Sequence, residues 1–339
     1  MSVDASGESV EPAAARGAPR WRKAIPYLVT LAIFSLIFWR IPVAKVAEAL
    51  RQVPVARFVA IFLPYSLFYF AIDSFCLAWV VRKFNAPMTL REILPIRASM
   101  YLLALVNTNL GQGGVAYYLH RKGRIGLLAA LSSILFIALI EIYQLFLFST
   151  LGVLFYRPAG ATQIEIVRVL RVAYVVAWAG LAGIIAFFAV ARRSAGVRGW
   201  IETSRFGSIA ATFLRARPLD YLVVLAIRAP NFLASMVAQY FALGLYGIAV
   251  PLLKLILFLP LVFLAAALPI AVAHLGTSQA AWLLFFSGNA SNAKILAYSL
   301  ASHFTFMFCN GLIGLCFLPH ATRELTAIRE ESAREAVAD

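Results

Sequence analysis

Acidic residues are scarce in this chain: Asp and Glu number 15 among 339 residues, against 30 Lys and Arg. Charged residues of both signs make up 13% of the sequence and hydrophobic residues 62%, whereas an ordinary soluble domain carries about 25% charged residues. A soluble fold is excluded. The three cysteines, Cys76, Cys309 and Cys316, lie within apolar stretches. They read as packing residues, and neither a disulfide framework nor a metal cluster is indicated. No Gly-x-x-x-x-Gly-Lys loop occurs, which argues against direct use of ATP, and nothing implies a cofactor. No small-residue cleavage site follows Trp39, so the first apolar stretch is expected to stay as a helix.

What the chain has instead is apolar length. A hydrocarbon core of about 30 Å takes around 20 helical residues to cross, and runs of that order recur from Ala24 almost to the C-terminus. They are continuous rather than alternating in polarity, so the expected fold is an all-α integral membrane protein and not a barrel. Six full crossings are expected: Ala24 to Trp39, Phe58 to Val81, Leu127 to Phe155, Val172 to Val190, Tyr221 to Gly247, and Ile295 to Leu318. Residues 1–20 read as a disordered tail, 21–319 as one transmembrane domain with halves at 24–155 and 172–318, and 320–339 as a charged, solvated tail, helical at its start. Between Val43 and Val53, Val43, Val46, Ala47 and Leu50 oppose Lys45, Glu48 and Arg51 at helical spacing. That pattern suits a helix lying in the membrane interface and equally a surface linker helix.

Two apolar regions are interrupted. Ile93 to Leu119 contains Asn107-Thr108-Asn109-Leu110-Gly111-Gln112-Gly113-Gly114, and Pro251 to Phe286 contains Pro269 and His274-Leu275-Gly276-Thr277-Ser278-Gln279. Each reads as a broken helix, which membranes tolerate only where the freed backbone is buried in protein or lines a wet cavity. Re-entrant hairpins satisfy that condition. Charge placement agrees. Arg82, Lys83, Arg91 and Arg97 precede the first break and Arg121, Lys122 and Arg124 follow it, so both flanks are basic. With both termini cytoplasmic and both breaks re-entrant, the inner face receives 20 of the 30 Lys and Arg, the bias the positive-inside rule expects. The net charge of +15 then reflects topology and contact with anionic lipids, and nucleic acid is not an expected partner.

The breaks also align without gaps, Leu110 to Leu119 over Leu275 to Leu284, with Leu, Gly, Ala and Leu matching and Tyr117 opposite Trp282. Each follows two crossings and precedes a third, so an odd number of crossings per half makes the second half an inverted copy of the first. Inverted repeats whose broken helices meet near the midplane are a recurrent transporter plan, with the binding site at the breaks. The expected site comprises Asn107, Asn109, Gly111, Gln112, Gly113, Gly114, His274, Gly276, Thr277, Ser278 and Gln279, together with Glu141 and Arg228. There, half-helix N-termini turn backbone N–H groups towards an anion. The glycines either let a phosphate approach or let helices pack closely.

Glu141 and Asp73 lie deep in crossings, and Arg228, followed by Pro230 and Asn231, is the internal cation well away from an end. Charges at that depth need a partner or a wet cavity. Arg228 is expected to pair with Glu141 or Asp73, either permanently or as a group that switches to an anionic head group, with Asp73 structural or coupling. Lys254 and Lys294, near helix ends, are expected to snorkel.

The segment Leu102 to Gly114, with Leu268-Pro269-Ile270 leading to Leu275 through Ala281, resembles the lysylphosphatidylglycerol synthase transmembrane, or flippase-like, family. The resemblance spans about Ala24 to Pro319 and implies movement of lipids or lipid-linked molecules across a cytoplasmic membrane. Family synthases carry a soluble aminoacyl transferase domain after the membrane part; nothing after Pro319 in this sequence could supply one, so synthase activity is not expected. Gln112 and Gln279 stand where the family pattern often has an acidic residue. Neutral amides do not favour a cationic aminoacylated head group, which leaves ordinary phospholipids, hopanoid-type lipids and isoprenoid-linked carriers open. Two other functions compete: a non-transporting scaffold for a lipid-modifying enzyme, and an intramembrane serine hydrolase built on Ser278 and His303.

Overall fold

The computed structural model describes residues 20–106, 108–157, 161–204, 207–268 and 275–338, and among them the chain is helical with no strand. The helices are α1 (Arg20–Arg40), α2 (Val43–Arg51), α3 (Val55–Phe84), α4 (Leu90–Val106), α5 (Thr108–Gly123), α6 (Leu127–Phe155) and α7 (Ala161–Arg193). They continue as α8 (Ala195–Thr203), α9 (Ala211–Arg215), α10 (Pro218–Leu245), α11 (Leu252–Ala267), α12 (Thr277–Phe286) and α13 (Asn292–Ala338). Proline sets several starts. Pro42, Pro54 and Pro251 stand immediately before α2, α3 and α11, and Pro218 opens α10, where its fixed φ suits a first turn and its missing N–H costs nothing.

Among the described residues five helical segments are long and apolar enough to cross a membrane: Val55–Phe84, Leu127–Phe155, Ile164–Arg193, Pro218–Leu245 and Asn292–Arg323. They coincide with five of the six expected crossings. The first expected crossing falls on α1, of which Leu31–Arg40 is the apolar part described. The segment after Pro42 is helical as expected, but it buries Val46 and Ala49 and leaves Val43 and Leu50 exposed; α2 packs on α13. The C-terminal helix runs on to Ala338, well past the start of the expected tail.

Each interrupted region is a pair of short helices. At 1.5 Å per residue, the 17 residues of α4 reach about 25 Å and the 10 of α12 about 15 Å. In the first pair the end of α5 returns to the start of α4: a Cβ on Gly123 would stand 3.1 Å from the Met88 sulfur and 3.6 Å from Ala86. In the second, Lys254 Nζ at the start of α11 donates to Asn289 Oδ1 just after α12 (2.6 Å), and Asn289 Nδ2 donates to the Ala249 carbonyl (2.8 Å). Lys254 is 5% exposed, so it staples two chain ends together instead of snorkelling. Of the cysteines, Cys76 and Cys309 are buried as packing residues, but Cys316 is exposed.

The order long, short, short, long occurs twice, as α3–α6 and α10–α13. The packing is reciprocal. α3 lies on α10, α4 of the first set packs chiefly on α13 of the second, and α11 of the second packs chiefly on α6 of the first. A small residue sits at both exchanged crossings. A Cβ on Gly314 of α13 would meet the Ala98 carbonyl oxygen of α4 at 2.9 Å, and one on Gly152 of α6 would meet Leu257 Cα of α11 at 2.5 Å. With no hydrophobic drive between helices in lipid, such close backbone approach is a main source of association.

Candidate functional site

Three long helices and the short α4 meet at a cluster of four charges. Asp73 of α3 accepts from Arg228 Nη1 of α10 on Oδ1 at 2.8 Å and from Arg97 Nε of α4 on Oδ2 at 2.5 Å. Arg228 Nη2 reaches Glu141 Oε1 of α6 at 2.7 Å. Arg228 is therefore paired with both expected carboxylates at once. It is 2% exposed and Asp73 is 3% exposed; the Glu141 side chain, 42% exposed, is the open member. Gln144 Nε2 donates to the Arg228 carbonyl at 3.0 Å, in the helix that carries Pro230. The carbonyl that Pro230 leaves without its helical donor is that of Ala226, four residues back, so the Gln144 bond to Arg228 is an additional tie between α6 and α10.

Arg97 links this cluster to open space. Its Nη1 donates to Gln112 Oε1 at 3.2 Å, and both side chains line a cavity of about 320 Å³ with Tyr69, Tyr101, Gly111 and Asn310. The placement corrects the topology count, in which Arg97 stood among residues on the inner face. Its side chain is 13% exposed and faces Asp73. The signal was present: Arg97 falls seven residues after Leu90, two full turns into an apolar helix.

A second, smaller cavity of about 100 Å³ lies beside the first and shares Phe263, Ala266, His303 and Phe306 with it. Its wall includes Ser278 at the second break, with Gln239, Tyr65 and Trp282. The two breaks thus face two adjoining chambers. Between them the Phe306 ring stacks on Tyr65 at 5.3 Å and meets Tyr69 edge-on at 5.7 Å.

The remaining expected site residues divide. Gly111 and Gly114 are pressed against α4, where an added Cβ on Gly111 would lie 2.9 Å from the Met100 carbonyl oxygen and one on Gly114 would strike the Met100 side chain. Gly113 has open space around it. At the second break Gly276 holds φ +94, a conformation that favours glycine. The Gly276 N–H is not turned to a ligand; it donates to Gln279 Oε1 at 2.6 Å, and Ser278 Oγ donates to the same atom at 3.1 Å. Gln279 thus caps α12, a role legible in the Gly-x-x-Gln spacing of N-cap and N3 positions. Thr277 is buried in that first turn. Asn107 and His274 lie outside the described residues, as does the Asn109 side chain. Asp73, Glu141 and Arg228 stand behind the larger chamber rather than on its wall; Arg97 connects the two.

The fold and this site define a polytopic helical membrane protein with a charge-paired centre and a polar-edged cavity between its two four-helix sets. Residues 24–314 match the family described as the lysylphosphatidylglycerol synthase TM region, and the chain belongs to that family. No curated protein and no solved structure matches it.

Proposed function

We propose that this protein translocates a lipid or lipid-linked molecule with an anionic head group across a cytoplasmic membrane, without catalysing a reaction. In this reading six crossings and two re-entrant hairpins form two inverted repeats, with both termini cytoplasmic. The observation that carries it is the larger chamber. A guanidinium and an amide, Arg97 and Gln112, share one edge of a cavity otherwise rich in apolar and aromatic groups. Asp73 holds one face of Arg97 and leaves the guanidinium further N–H groups for a phosphate, which its planar fork suits. The head group would lie against Arg97 and Gln112 with its tails in lipid, and cross between chambers past Phe306. The two glutamines expected to bear on the cargo are spoken for by the protein, Gln112 by Arg97 and Gln279 by the α12 cap. Only Gln112 reaches a chamber wall, and beside Arg97 it favours neutral or anionic cargo over a cationic one.

Two adjoining chambers at the two breaks are what transport requires, whereas a scaffold alone needs only a packed interior. Ser278 and His303 line the smaller chamber together, but the Ser278 hydroxyl donates to Gln279 Oε1 within the α12 turn, which favours transport over the hydrolase reading. The test is transport of labelled phosphatidylglycerol and phosphatidylcholine by purified protein in liposomes. Wild type moves the anionic lipid faster, and Gln112→Ala slows it by about five- to tenfold, the value of one hydrogen bond near 1 kcal/mol, with thermal stability retained. Equal rates with protein-free liposomes would reject transport.

A further inference from the structure

The end of the bundle that carries Lys83 and Asp220 holds a basic cleft unconnected with the chambers. α7 finishes on Arg192 and Arg193, the chain turns at Ser194, and α8 follows with Trp200 exposed and Ile201 buried. Beyond it the short α9 is pinned to α6. The Thr212 N–H donates to Ser132 Oγ at 3.0 Å, Thr212 Oγ1 lies 3.1 Å from Ser133 Oγ, and Asn85 Nδ2 donates to Ser133 Oγ at 2.6 Å. Phe213 is held between Phe136 at 5.4 Å and Phe188 at 5.3 Å. These contacts make a fixed wall rather than a loose loop.

Between that wall and the ends of α7 and α8 lies a cleft of about 540 Å³, lined by Arg192, Arg198, Arg215 and Ser208, with no carboxylate among its lining residues. Arg215 is held in place by donating to the Phe84 carbonyl, which occupies one of its five N–H groups. Asp220, the acidic residue at this end of α10, is occupied by Lys83 and by the Arg217 N–H. Arg192 acts electrostatically on the Tyr221 hydroxyl, which is buried and has no hydrogen-bond partner among the described groups. Three guanidinium groups border this one cavity, and their planar N–H forks suit an anion with several acceptor oxygens.

We propose that this cleft binds a phosphate group, by guanidinium forks from Arg192, Arg198 and Arg215 with the Ser208 hydroxyl as a neutral donor. Phosphate is favoured over a carboxylate because it offers acceptors to several forks at once. The chemistry is common to a phospholipid head group and to free phosphate. Trp200 is exposed at this end of the bundle, and tryptophan is enriched at head-group depth, so a lipid of the adjoining leaflet is within reach.

The test uses the full chain in nanodiscs, with wild type compared to Arg192→Gln/Arg198→Gln. Gel filtration and melting in neutral-lipid discs report folding, and the double variant should match wild type in both because Arg215 keeps its structural bond. The Trp200 emission, taken as the difference between otherwise identical chains with and without Trp200→Phe, should be quenched more by brominated phosphatidylglycerol than by brominated phosphatidylcholine at equal bromine content. The double substitution should abolish that preference, weakening binding at least about tenfold. If inorganic phosphate at millimolar concentration protects wild type in neutral discs and phosphatidylglycerol shows no preference, the ligand is soluble phosphate and the site stands. If neither anion distinguishes wild type from Arg192→Gln/Arg198→Gln, or from a single Ser208→Ala variant, the proposal is wrong. These outcomes are independent of transport, since the cleft shares no residue with the chambers.

Discussion

Asp73 and Arg228 lie 155 positions apart in sequence and 2.8 Å apart in the folded chain. With Arg97 on the other carboxylate oxygen and Glu141 on the far side of Arg228, the pair ties α3, α4, α6 and α10 together at one point. Removing one partner of a buried pair strands the charge left behind, and such losses run to about 3–5 kcal/mol.

Asp73→Asn should therefore be among the most destabilising single substitutions in the bundle, because it leaves buried Arg97 without its carboxylate and Arg228 with the part-exposed Glu141 alone. Glu141→Gln should cost clearly less, since its carboxylate is part-exposed and Arg228 keeps Asp73. Melting of the two variants in the same detergent gives the order, and equal losses would show that Asp73 does not hold the cluster together.

Glycine substitutions should sort by their surroundings. Gly276→Ala forces an L-residue into positive φ and brings its Cβ to 3.2 Å from Ile33, which should cost about 1–2 kcal/mol. Gly152→Ala should cost more, because its Cβ would land on the backbone of α11. Gly244→Ala meets nothing within 4 Å and should stabilise α10 by up to about 1 kcal/mol. Detergent melts of the three separate close packing from general sensitivity to methyl groups.

Phe306→Ala should merge the two chambers. The expected result in liposomes is faster transport with less discrimination between anionic and zwitterionic lipid, while Phe304→Ala, exposed two positions earlier, leaves both unchanged. A slower rate with unaltered preference would mean that Phe306 supports the wall and does not separate the chambers.

Acid should loosen the entry to α4 first. The Thr89 N–H and hydroxyl both donate to Glu92 Oε2, at 2.7 and 2.8 Å, and these bonds hold the Glu92 carboxyl below its ordinary pKa. A carboxyl with a lowered folded pKa stabilises the native state above its unfolded value, and that contribution is lost as pH falls through the folded value. Amide exchange at the first turn of α4 should accelerate below about pH 4, and Glu92→Gln should show the fast exchange at neutral pH.

Much of this architecture was legible in the sequence, because lipid imposes a simple rule: a run of about 20 apolar residues has to be a helix. Five crossings, the two short-helix pairs and the pairing of Arg228 with acids in other helices follow from it. Arg97 was misplaced because hydropathy reads position along the chain, and its burial depends on Asp73 arriving from α3. The role of Gln112 was hidden for a related reason, whereas that of Gln279 was there to be read in its spacing from Gly276. An amide beside a glycine break looks the same in sequence whether it faces a ligand or another side chain.

The central cluster holds two carboxylates and two guanidiniums, so with all four ionised it carries no net charge. A group of net zero charge does no electrical work when it shifts as a body through a membrane potential, whereas each uncompensated charge moved across 100 mV involves about 2.3 kcal/mol. If the helices that share the cluster rock together, membrane voltage acts on the cargo and not on the machinery. The sign and steepness of any voltage dependence would then read out the charge of the molecule carried.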